Sequence, residues 1–130
     1  KKRLKFIEGS SIDEKIFKKV LKYSKKFKKI LVILDSAHTH NHVLKELELY
    51  SKLVSHNSHL LVFDTTIHKF NPVRLKKIKR TMPNSDTKSN PYTAIKSFLK
   101  INKKFKLLEK YNSRVFATNM WNSVLTKYKN

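Results

Sequence analysis

Two short segments, ILVILD at residues 30–35 and HLLVFD at residues 59–64, do most to limit how this chain can fold. Each is an apolar run that ends on an aspartate. A strand exposed on one face alternates apolar and polar side chains, whereas a parallel strand covered on both faces reads as a continuous apolar run. Between the two, Val43, Leu44, Leu47, Tyr50 and Val54 recur at helical spacing over about His40 to Val54. Strand, helix, strand is the βαβ order, and it predicts an α/β fold with a doubly wound, mainly parallel sheet.

The flanking segments extend that pattern. RLKFI at residues 3–7 reads as a further parallel strand, closed by the EGSS turn that holds Gly9, the chain's one glycine. Asp13 is placed to cap a helix whose apolar positions are Ile16, Phe17, Val20, Leu21 and, further on, Phe27. Residues 65–90 are polar, contain Pro72 and Pro83, and predict a long binding loop or lid with one short helix near Pro72–Arg80. Asn90–Pro91 then opens a helix carrying Tyr92, Ile95, Phe98, Leu99 and Ile101. FKLLEKY at 105–111 and RVFAT at 114–118 predict a terminal antiparallel pair. A length of 130 residues suits one domain, 1–130.

Composition removes several function classes. With no cysteine, neither a disulfide framework nor a thiolate zinc site is available. No apolar run approaches the roughly 18 residues that span a bilayer, and no signal peptide is visible, so a cytoplasmic location is the expectation. Thirty basic residues against nine acidic ones give a net charge of +21, which raises nucleic acid or another anionic polymer as a partner. Yet only Arg3, Arg74, Arg80 and Arg114 are arginine, the residue that forks onto phosphate and guanine. Lysines spread over every segment read better as compositional bias, and nucleic acid is disfavoured.

Ligands of open α/β sheets bind beyond the carboxyl ends of the strands, where Asp35 and Asp64 would both project. Two carboxylates there suit Mg²⁺ or another hard divalent cation. The plainer alternative is that Asp35 caps the next helix, a role Ser36 or Thr39 could fill equally well. His38, three residues after Asp35, is placed as a general base, since imidazole titrates near neutral pH. His38 and His42 are also spaced to share a helix face as a metal pair. His40, His42, His56, His59 and His68 read as surface residues.

FIEGSSID, ILVILDSAHTHNHVLKELELYSKLV, HLLVFDT and NPYTAIKSFL together resemble, in order and spacing, the cephalosporin hydroxylase / rhamnosyl O-methyltransferase family. The resemblance covers nearly the whole chain except the 65–85 loop. It implies a Rossmann-like class I methyltransferase fold and an S-adenosylmethionine-dependent, Mg²⁺-requiring O-methyltransferase that acts on a hydroxyl, with a saccharide as the acceptor. It makes Asp35 and Asp64 metal ligands and His38 the base that takes the hydroxyl proton. Gly9, Ser10 and Ser11 would lie near the cofactor's adenine, with Ser36 a further cofactor contact. Several relatives have a glutamate before the second aspartate, where this chain has Phe63.

The same resemblance implies that the first two strands, with the glycine-rich cofactor loop and a ribose-binding acid, belong upstream of Lys1. The 130 residues are then expected to be a partial domain that, alone, does not bind S-adenosylmethionine measurably. The acceptor's identity and any homo-oligomer are left open. Two other readings stand beside the enzyme: a basic module binding nucleic acid or an anionic polymer, and a catalytically inactive remnant.

Overall fold

The computed structural model describes residues 4–108 and 120–128. Four strands form one sheet: β1 (Val32–Leu34), β2 (His59–Val62), β3 (Phe105–Leu107) and β4 (Val124–Lys127), in the spatial order β1-β2-β4-β3. β1 and β2 are parallel, in the register Val32 to Leu60 and Leu34 to Val62. β4 is inserted antiparallel between β2 and β3, so β3 runs in the same direction as β1 and β2. The α/β class, the two apolar strands and their parallel pairing are as the sequence predicts.

The helices form where their caps and stripes require. The Asp13 side chain accepts from the N–H groups of Lys15 and Ile16 and starts α1 (Glu14–Ser24). α2 (His40–Tyr50) buries Val43, Leu47 and Leu49. A short 3₁₀ turn (Thr65–Lys69) and α3 (Pro72–Ile78) occupy part of the predicted 65–90 loop. α4 (Pro91–Ile101) opens with a capping box in which Asn90 accepts from the Thr93 N–H while the Thr93 hydroxyl accepts from Asn90. α2 and α4 lie on one face of the sheet, and Leu47, Leu60, Val62, Ile95, Phe98 and Leu125 form the fully buried centre of the core. α1 joins this layer through Phe17, whose ring meets that of Tyr50 edge-on at 5.4 Å.

Three expectations change. Residues 4–7 form no strand: Leu4 and Phe6 are 74% and 86% exposed, and no strand among the described residues offers their backbone a ladder. The strand at 30–34 shortens to three residues at the sheet's edge, and it is covered on one face only, with Ile33 54% exposed between buried Val32 and Leu34. The antiparallel partner of β3 is β4, at 124–127; the predicted partner at 114–118 and the end of the 105–111 segment lie outside the described residues. Ile101, assigned to the apolar stripe of α4, is exposed at the helix end.

Candidate metal and base site at the strand ends

The parallel pairing continues one step past the strands, where the Phe63 N–H donates to the Leu34 carbonyl at 3.0 Å. That bond sets the next residues, Asp35 and Asp64, side by side on the carboxyl rim of the sheet. Asp64 adopts the left-handed conformation, φ 54°, and the chain turns there into the 3₁₀ segment. Asn57 and Asn122 share that conformation among the described non-glycine residues, and asparagine and aspartate both enter it more readily than other side chains.

The loop from Ser36 to Thr39 brings His38 back over the same spot. Its Nε2 lies 2.6 Å from Asp64 Oδ2 and 3.8 Å from Asp35 Oδ1. Asp35, His38 and Asp64 each offer a ligand atom, and the three atoms lie within 4.8 Å of one another. His38 Nε2 is buried and, despite the short approach to Asp64, makes no hydrogen bond of acceptable angle. Asp35 is the solvent-facing member, with 58% of its side chain exposed. Two carboxylate oxygens and open access for water suit a hard divalent cation, so the donor set fits the expected metal. Thr39 occupies the N-cap position of α2, without a side-chain cap bond, so neither Asp35 nor Ser36 caps that helix.

The structure separates His42 from His38. His42 turns to the other side of α2's first turn, where its Nε2 lies 3.1 Å from Ser11 Oγ and 3.8 Å from Glu46 Oε1. The His38–His42 metal pair is therefore absent. Glu46, 2% exposed, accepts from Ser36 Oγ at 2.8 Å. Tyr50 donates its hydroxyl to the Ser11 carbonyl at 3.0 Å, and burial first, then the Glu46 charge, pushes its pKa up. Ser11 and Ser36 are thus tied to one stripe of α2. Gly9 bends the turn before them with φ 136°, and a β-carbon there would meet Ile16 Cδ1 at 2.5 Å. Ser10 holds the turn through its carbonyl, which accepts from the Asp13 N–H.

Reading the other histidines as surface residues succeeds only for His56, which is exposed. His40 is bonded to Thr93 Oγ1, His59 to Thr126 Oγ1, and His68 stacks on Tyr92 with ring centroids 4.1 Å apart. Sequence reasoning also missed Glu46. Its signal was present: a carboxylate inside the apolar stripe of α2, four residues after His42.

The mixed α/β sheet thus carries two acids and an imidazole at its carboxyl rim. A family model described as rhamnosyl O-methyltransferase/CmcI matches residues 1–128, and the chain belongs to that family. Among curated proteins it is similar to the rhamnosyl O-methyltransferases of Mycobacterium bovis (strain BCG / Pasteur 1173P2) and Mycobacterium tuberculosis (strain ATCC 25618 / H37Rv), each 39% identical over 64 residues. Those residues are 48% of this chain and 26% of each relative, so the match spans about a quarter of the relatives' length. No solved structure matches the chain significantly. No helix among the described residues is long and apolar enough to cross a membrane.

Proposed function

We propose that this chain supplies the metal-holding and proton-accepting half of a Rossmann-like, S-adenosylmethionine-dependent O-methyltransferase that acts on a sugar hydroxyl. The observation that carries the reading is the convergence of Asp35, His38 and Asp64 at adjacent parallel strand ends. When bound, S-adenosylmethionine supplies an electrophilic methyl group, and Mg²⁺ supplies positive charge that acidifies a coordinated hydroxyl. Asp35 and Asp64 would hold the cation. His38, whose ring lies against Asp64, accepts the hydroxyl proton as the oxygen attacks, and Asp64 stabilises the imidazolium that forms. The residues' main work is to orient the hydroxyl and remove its proton, since in-line methyl transfer needs no covalent enzyme intermediate. Gly9, Ser10, Ser11 and Ser36 line the cofactor side.

The same reading takes residues 1–130 as part of a larger domain. Leu31, just before β1, and Ile33 within it are 49% and 54% exposed on one face of the sheet, an apolar face that a further layer of the full-length protein would cover. Residues 65–90 serve as the loop that closes over the acceptor. They start at Asp64 and are anchored by the His68–Tyr92 stack and by Asn90, whose amide donates to the Asp86 and Thr87 carbonyls.

The direct test is methyl transfer from labelled S-adenosylmethionine by the full-length protein, with rhamnosylated and other saccharides as acceptors and Mg²⁺ present or chelated. The reading predicts metal-dependent labelling of a saccharide hydroxyl. Transfer unaffected by chelation would remove the metal from the site, and no transfer to any hydroxyl would remove the reading.

A further inference from the structure

One face of α2 carries three polar side chains a turn apart, His42, Glu46 and Tyr50, and each reaches toward a loop that belongs to the site. Two of them hold the Gly9–Ser11 turn: His42 at the Ser11 hydroxyl and Tyr50 at the Ser11 carbonyl. The third, Glu46, holds Ser36, the residue after Asp35. Glu46 is almost wholly buried, and its Oε2 has no hydrogen-bond partner among the described residues. An apolar residue of similar size would suit the surrounding core of Val43, Leu47 and Leu49 at lower desolvation cost. Ser11, His42 and Glu46 do not form a hydrolytic triad. The serine and the carboxylate both address Nε2, whereas a triad places them on opposite ring nitrogens.

We propose that His42, Glu46 and Tyr50 are positioning residues, a polar clamp that presets the Gly9–Ser11 turn against the Asp35–Ser36 strand end before the cofactor arrives. The proposal rests on the methyltransferase reading for the identity of the ligand. Preorganising two loops lowers the ordering cost of binding, so the clamp acts on cofactor affinity more than on the rate of the chemical step.

The test compares the full-length wild type with Glu46→Leu, Glu46→Gln and Tyr50→Phe, by calorimetric titration with S-adenosylhomocysteine, thermal melting and amide hydrogen exchange. Glu46→Leu removes the clamp yet fits an apolar core, so its melting temperature holds or rises while its Kd increases about tenfold, the scale of one lost buried hydrogen bond. Glu46→Gln keeps an acceptor for Ser36 and restores most of the affinity. Tyr50→Phe, which leaves Glu46 in place and serves should Glu46→Leu fail to fold, weakens binding about fivefold. In Tyr50→Phe, exchange at residues 9–13 speeds up while β1 and β2 stay protected. Wild-type affinity in a folded Glu46→Leu, or wild-type affinity or unchanged exchange in the turn in Tyr50→Phe, overturns the clamp. A wild-type protein that binds no S-adenosylhomocysteine overturns the methyltransferase reading instead, and exchange in the turn still decides whether the clamp exists.

Discussion

The two ends of the sheet are built on opposite terms. At the far end from the acids, a groove of about 960 Å³ is bordered by Lys52, Lys103, Lys104 and Lys127. Its most enclosed charge is occupied: Lys127 Nζ donates to the Val54 and Ser51 carbonyls at 2.6 and 3.3 Å and ties down the end of α2. Burial, then the neighbouring Lys104, lowers its pKa. The carboxyl rim instead gathers acids and an imidazole. His38 Nε2 and Glu46 Oε2 are buried without hydrogen bonds, and Asp64 sits in a left-handed backbone conformation. The proposed site rests on the chemistry gathered at the rim and not on cavity size.

Mutations can break this contrast. The largest effect is expected at the rim, where Asp35→Asn, Asp64→Asn or His38→Ala in the full-length protein should each cut turnover by at least about a hundredfold with little change in melting temperature. Wild-type turnover in all three would erase the distinction between the ends. Next comes the core common to both. Leu60→Ala, at a fully buried position, should cost about 2–5 kcal/mol in urea unfolding. Lys127→Met should lose about 1 kcal/mol of stability through the freed helix-end carbonyls and leave turnover unchanged, the reverse of the rim variants. The smallest effect tests the cap of α1. Asp13 has its pKa held below 3.8 chiefly by the Ile16 N–H, with Lys15 also contributing. A group depressed in the folded state stabilises above its unfolded pKa and loses that contribution as pH falls through the folded value. The melting-temperature gap between wild type and Asp13→Asn should therefore be present at neutral pH and close as pH falls below the ordinary carboxylate range.

How much of this was legible in the sequence depends on the range of the interactions. The caps at Asp13 and Asn90 are local, and both could be read from a few residues. So could β1, β2 and the two aspartates at their ends, because an apolar run and its terminal acid lie next to each other in the chain. The strand expected at 3–7 shows the opposite case. Apolar content suggested it, but a strand needs a partner, and Leu4 and Phe6 have none among the described residues. β4 was missed because four residues, Val124–Lys127, carry too little pattern to stand out, and their place is fixed by pairing with His59–Leu61 far upstream. The histidines were misjudged for the same reason: Thr93, Thr126 and Ser11 are 53, 67 and 31 residues from their imidazole partners. In the site, the acids and His38 were named from strand-end logic, whereas Glu46 was hidden within a helical stripe that otherwise reads as core.

The central claim, that the rim acids hold a divalent cation beside His38, is tested most directly by titrating Mn²⁺, as a paramagnetic stand-in for Mg²⁺, into the full-length protein and following free ion by electron paramagnetic resonance. The account predicts one saturable site in the wild type, competed by Mg²⁺, that weakens at least tenfold in Asp35→Asn and Asp64→Asn and is unchanged in Lys127→Met. Equal Mn²⁺ binding by the wild type and both aspartate variants would contradict it.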